Sequence, residues 1–203
     1  MPLLVITGPS GAGKGTLIAA LLEQLPELEV AVSATTRHRR PGEEDGRDYW
    51  FLSEEEFSRR VAADGFLEHV TYVSGHRYGT LRSELTRIAA AGRVCVLELE
   101  LEGALAVRAG VPRCVTIFVD APSFAELERR LRARATESSG EIGERLELAR
   151  LQRVQADRFD HAVVNDELPR AVAEVAAIVE RERERVTASS AATASTSVPR
   201  RSG

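Results

Sequence analysis

Lysine is almost missing from this chain of 203 residues: Lys14 is the only one, so 26 of its 27 basic residues are arginine. Other scarcities narrow the field. Two cysteines, Cys95 and Cys114, each sit inside an apolar run, which reads as a pair of buried reduced thiols and excludes a disulfide framework or a cysteine metal site. No apolar run approaches the roughly 18 residues that span a bilayer, and the start of the sequence carries no basic segment with a cleavage site. A cytoplasmic protein with no membrane partner is expected. The net charge of −4 argues against a nucleic-acid sleeve and turns attention to small anions gathered by local arginine clusters. The four histidines, His38, His69, His76 and His161, show neither metal-ligand nor triad spacing.

What is present is an alternation of short apolar runs and longer amphipathic ones. Pro2 to Thr7, Glu29 to Ser33, Arg93 to Leu99, Cys114 to Asp120 and His161 to Val164 read as strands. Between most of them lie helices, the first from Lys14 to Leu25, with Leu17, Leu21, Leu22 and Leu25 at helical spacing. Strands apolar on both faces, alternating with helices, predict an α/β protein with a parallel sheet flanked by helices. Residues 34–80 break this rhythm with turn formers, arginine and tyrosine, which predicts an inserted small β-rich lobe. Within it Ser53 and Glu56 form a capping box for a helix that begins at Glu54. The small, polar stretch from 187 to 203 reads as a disordered tail. One domain, 1–186, is expected, with its core in 1–33 and 81–186.

The segment GPSGAGKGT, residues 8–16, directly follows an apolar strand and opens a helix. Its Gly8, Gly13 and Lys14 fit G-x-x-x-x-G-K, a loop whose backbone N–H groups surround phosphate oxygens. Gly8, Pro9, Ser10, Gly11, Ala12, Gly13, Lys14, Gly15 and Thr16 are therefore expected to bind ATP. The place after the lysine holds Gly15, so the hydroxyl that would touch Mg²⁺ falls one residue later, on Thr16; phosphates and water would carry most of the metal's coordination. Lysine is a compact point charge that can reach into such a loop, whereas arginine is a planar fork. If the drift to arginine is compositional, chance would leave the last lysine here about once in two hundred. A second cluster, Arg37, Arg39, Arg40 and Tyr49, suits another phosphate, since guanidinium forks and phenols bind oxyanions directionally.

With GPSGAGKGT, the segments VSATTR, RRPGEEDGRDYWF, FLE, YGT, LELELEG, APSFAELERRLRARAT and VVND, in order from about residue 3 to about residue 180, resemble the guanylate kinases. That resemblance implies a P-loop NTPase fold with a GMP-binding insertion at about 34–80 and a helical lid at about 130–145. It implies transfer of phosphate from ATP, with Mg²⁺, to GMP by a monomer or homodimer. By position, Arg37, Arg40, Tyr49 and Tyr78 would hold the GMP phosphate, and Ser33, Glu68 and Thr80 would face guanine. Glu98 and Glu100 would line the GMP side of the cleft; Arg130, Arg134 and Arg145 would face the transferring phosphate, and Asn165 would lie by adenine. Glu68 suits guanine on chemical grounds, because one carboxylate can accept both N1–H and N2–H₂. The sequence departs from the family's habit at Glu100 (usually Asp), Glu102 (usually Gln), Ala135 (usually Gly) and His69 (usually Trp). Two other readings are a ribose 1,5-bisphosphate kinase of the same fold, which would need no guanine-facing set, and a non-catalytic interaction module, which would have lost the phosphate loop.

Overall fold

The computed structural model describes residues 3–72, 74–133 and 139–195. Five parallel strands form the main sheet: β1 (Leu3–Thr7), β2 (Leu28–Val30), β7 (Val94–Glu98), β8 (Cys114–Asp120) and β9 (His161–Val164), in the order β2-β7-β1-β8-β9. Every residue of β1 is buried, as a central strand between two helix layers requires. One layer packs Leu4, Ile6, Ile117 and Val119 against α1 (Lys14–Gln24) and α7 (Leu168–Ser195). The other packs Leu3, Val5 and Phe118 against α3 (Arg82–Ala90) and α4 (Leu101–Gly110). Alternate residues of β1 thus feed opposite layers, the period-two rule at work.

A second, four-stranded sheet forms the inserted lobe: β3 (Ser33–Thr35), β4 (Trp50–Phe51), β5 (Phe66–Thr71) and β6 (Arg77–Leu81), in the order β4-β3-β6-β5. It has its own small core of Ala34, Phe57, Phe66 and Leu81, with Phe57 supplied by α2 (Glu54–Ala62). The α2 helix begins where its cap predicts, Ser53 Oγ accepting from the Glu56 N–H at 3.1 Å. The run read as one strand, Glu29 to Ser33, is broken at Ala31 and Val32. The chain leaves the main sheet there and enters the lobe's sheet, and its backbone partners change from β7 to β6.

The α5 (Phe124–Ala133) and α6 (Ser139–Arg153) helices form the arms of the segment read as a lid. Arg134 and Ala135 lie outside the described residues. At the base of the arms the Arg150 guanidinium lies over the Phe124 ring, 4.5 Å from its centroid, and Arg153 Nε donates to Asp120 Oδ2 at 2.7 Å. The α7 helix differs from expectation. It runs past Thr187, where the sequence reads as a disordered tail, as far as Ser195. Extending a helix already nucleated adds one hydrogen bond per residue fixed, so small polar residues can continue it; residues 196–203 lie outside the described residues.

Candidate active site

The carboxyl ends of the main-sheet strands deliver one set of side chains to one edge, where open α/β sheets bind their ligands. Gly8 follows β1, Glu98 ends β7, Asp120 ends β8 and Asn165 follows β9. Gly8 is obligatory: a Cβ built there would stand 2.0 Å from the Val119 carbonyl oxygen, a backbone atom that cannot yield. The loop then enters α1 through Gly13, a left-handed cap with no side-chain hydrogen bond, and no acidic residue occupies the helix's first turn. The first N–H groups of α1 are thereby left for an anion.

Lys14 Nζ donates to the carbonyls of Gly8 at 2.8 Å and Pro9 at 3.3 Å, which places the ammonium inside the curve of the loop. A planar guanidinium, broader than an ammonium, could not occupy that space without displacing those carbonyls. Opposite it, burial raises the pKa of Glu98; Lys14 opposes the shift and Glu100 adds to it. Asn165 Nδ2 donates to Ala12 O at 2.9 Å and ties the β9 end to the phosphate loop. Arg130 donates to Asn165 O at 3.0 Å and to Glu126 Oε1 at 2.7 Å. Gly11, Gly13, Thr16, Arg129, Arg130 and Asn165 line a cleft of about 350 Å3, while Arg145 is exposed on α6 and outside that lining. A hollow of about 410 Å3 among Leu105, Arg108, Arg113 and Arg158 lies at the amino end of β8, the end away from the phosphate loop.

The lobe supplies a second set. Ser33, Thr80 and Glu68 form one rung across β3, β6 and β5. A bulge between Phe66 and Glu68 makes this possible, because it takes Glu68 off the face on which Phe66 packs into the lobe core and sets it beside Thr80. Glu68 Oε1 accepts from Thr80 N at 2.9 Å and Thr80 Oγ1 at 2.8 Å. Burial raises the Glu68 pKa against the pull of those bonds. Two rungs along, Thr35 and Val70 flank Tyr78, whose ring centroid is 6.0 Å from that of Tyr49. Arg37 lies over Tyr49 at 5.4 Å and is gripped in a fork by Glu43, at 2.7 and 3.1 Å, which raises its pKa and fixes its plane. The Arg40 side chain is exposed, and its N–H donates to the same Glu43 at 2.8 Å.

The two arginine sets stand on different elements, and three carboxylates that fix arginines of the lobe and of the lid arms were not read from the sequence. Glu43, Glu126 and Asp120 each fix an arginine: Arg37, Arg130 and Arg153. Glu126 lies four residues before Arg130 on one helix face, a spacing that could have been noticed. Asp120 and Arg153 are brought together only by the fold.

The family model described as guanylate kinase matches residues 1–182. The chain belongs to the guanylate kinase family. Guanylate kinases from Frankia casuarinae and Rubrobacter xylanophilus are 47% and 49% identical to it; each alignment covers 88% of this chain, and 97% and 93% of the respective relative. The crystal structure of guanylate kinase from Anaplasma phagocytophilum superposes with a TM-score of 0.70 at 29% identity, over 89% of this chain and 85% of that one. Among the described residues, no helix is long and apolar enough to cross a membrane, and no cluster of three His, Cys, Asp or Glu side chains could hold a metal.

Proposed function

We infer that this protein transfers the γ-phosphoryl group of ATP to GMP, giving ADP and GDP. The observation that carries the reading is the pair of anion cradles. One is the phosphate loop with Lys14; the other is the Arg37, Tyr49 and Tyr78 wall, which adjoins a half-buried carboxylate on a rung with Ser33 and Thr80. Glu68 has one oxygen committed to Thr80, so its Oε2 is the acceptor offered to the N1–H and N2–H₂ of guanine. A base without that pair of donors would leave a buried carboxylate unpaired, at a cost of about 1 to 3 kcal/mol.

In the reaction an oxygen of the GMP phosphate forms a bond to the γ-phosphorus while the bond to the bridging oxygen of ADP breaks. Attacking and leaving oxygens lie in line. The attacking oxygen is already anionic at neutral pH, so no general base is required. Arg37, held in plane by Glu43, and Arg40 orient the acceptor phosphate with the phenols of Tyr49 and Tyr78. Lys14 and Arg130 neutralise charge that moves across the transferring group, and Arg134 and Arg145 join them from the lid. Asn165 borders the adenine side of the cleft. Mg²⁺ bound with ATP would supply further charge neutralisation. Thr16 and the carboxylates of Glu98 and Glu100 are oxygen donors suited to it, and with no three-acid cluster among the described residues the nucleotide phosphates and water would complete its shell. Such chemistry belongs to the cytoplasm and its nucleotide pool.

A coupled assay of ADP release with GMP, AMP, UMP and ribose 1,5-bisphosphate tests the reading. GMP is expected to turn over far faster than the other three; comparable rates with AMP or UMP would overturn it.

A further inference from the structure

Glycine weakens a helix, because it gives up more backbone freedom on ordering than any other residue, and its place is a left-handed turn or a close approach. Gly103 stands in the first turn of α4 with a φ outside the left-handed region, so no turn asks for it. The demand comes from a neighbour. A Cβ built on Gly103 would lie 3.1 Å from Glu68 Oε2, 3.6 Å from Glu68 Cδ and 3.8 Å from Leu99 Cβ. The bare Cα of this core helix therefore lies against the carboxylate on the inner rung of the lobe. Glu68 cannot simply step aside, because its other oxygen, Oε1, accepts from Thr80 N at 2.9 Å and Thr80 Oγ1 at 2.8 Å. The β5 strand is seated on the core at this place, since Leu67 packs against the cluster that holds Leu99, Leu101 and Ala104. The other end of the same helix shows the contrast: Gly110 has nothing within 4 Å of where its Cβ would stand.

We propose that Gly103 is a specificity-determining position for the acceptor base: its bare Cα leaves Glu68 Oε2 the room and the direction it needs to accept from the N1–H and N2–H₂ of guanine. The proposal rests on the GMP kinase reading for the identity of that base. A side chain at 103 would press on Oε2 from the core side, and with Oε1 pinned to Thr80 the carboxylate could yield only by pivoting about that oxygen. The pivot shifts Oε2 by a few tenths of an ångström and turns its lone pairs off the base. A pair of hydrogen bonds to one base edge tolerates this poorly, because both must stay near linear at once. Base selection is thus shared between two elements. The lobe supplies the carboxylate, and a helix of the core sets the way it faces. Gly103 touches no reacting atom and acts through Glu68, as a positioning residue.

The test is Gly103→Ala on the full chain, beside Gly110→Ala as the same exchange at an open place in the same helix. Alanine favours a helix over glycine, so neither variant should lower Tm. Gly110→Ala is expected to leave the kinetics within error. Gly103→Ala should lower kcat/KM for GMP on the order of tenfold, with KM for ATP unchanged. IMP keeps the N1–H and lacks the 2-amino group, so it has less to lose, and the GMP-to-IMP ratio of kcat/KM should fall about fivefold. Gly103→Ser carries the same Cβ and a hydroxyl able to donate to Oε2; it should lower GMP turnover further, by occupying the acceptor that guanine needs. GMP kinetics unchanged in both Gly103 variants, or GMP and IMP falling by equal factors, overturns the role of Gly103 while leaving the GMP reading intact. A Tm several degrees lower with KM for ATP raised would show a packing role instead and overturn it as well. Absence of GMP turnover in the parent overturns the function reading, and this inference with it.

Discussion

Glu68 is ionised at a place where burial works against its charge, and that tension has measurable consequences. Its folded pKa lies above the unfolded value of 4.5, so the folded protein binds this proton more tightly than the unfolded chain does. Stability is therefore fully retained below the unfolded pKa, and is lost as pH rises from there through the folded pKa. Glu68→Gln keeps the oxygen that Thr80 bonds and removes the charge. It should raise Tm at pH 8 on the order of 2 °C, with the gain vanishing near pH 4, while kcat/KM for GMP falls at least about tenfold. Thermal melts at the two pH values beside steady-state kinetics check both parts; a Tm unchanged at pH 8 would show that the burial carries no cost. Lys14 makes the complementary case. Lys14→Arg preserves charge and alters shape, so it should lower kcat at least about a hundredfold, the scale of losing one preorganised donor, with modest change in GMP affinity. Near-normal turnover would mean that the loop tolerates a fork. Both residues were legible in the sequence because a spacing or a neighbouring segment marked them. Glu43 was not, because what gives it meaning is a partner in space, the Arg37 guanidinium.

At the scale of elements, β1, β8 and β9 fall within a residue of where the apolar runs place them, because buried parallel strands leave an unbroken hydrophobic signature. The break at Ala31 and Val32 left no such mark. Val32 N donates to Glu84 Oε2 at 3.0 Å, and Glu84, on α3, is buried. Burial works to raise the Glu84 pKa, but hydrogen bonds from Arg87 and the Val32 N–H outweigh it, and the Trp50 indole adds a smaller pull in the same direction. The turn from one sheet into the other is thus fixed by a carboxylate some fifty positions away, as the long-range bond requires. The lid arms depend on a similar tertiary contact. Arg153 joins α6 to the end of β8 through Asp120, next to the phosphate loop and away from the lobe. Arg153→Ala should raise KM for ATP roughly fivefold, the loss of about 1 kcal/mol, and leave KM for GMP within twofold. A rise in both constants would show instead that the main sheet had been disturbed.

For the molecule as a whole, the sequence pattern foretold a parallel sheet with a β-rich insertion, and the course of the last helix escaped it because small polar residues carry no period of their own. The last side-chain contacts described from α7 to another element are Arg183 with Glu27 and Glu182 with His161, and the Arg185–Glu182 pair within the helix also lies before Thr187. Deletion of residues 187–203 should therefore leave Tm within about 1 °C and activity within error; a fall of several degrees would show that the segment docks. The single lysine has one more consequence. A lysine-specific endoprotease finds one peptide bond to cut in the whole chain, between Lys14 and Gly15. That bond lies where the phosphate loop becomes α1, with the Lys14 ammonium turned onto the loop's own carbonyls. Fraying at the ends or opening of surface loops elsewhere exposes nothing to such an enzyme, so the rate of this one cut follows the opening of the nucleotide-binding centre alone.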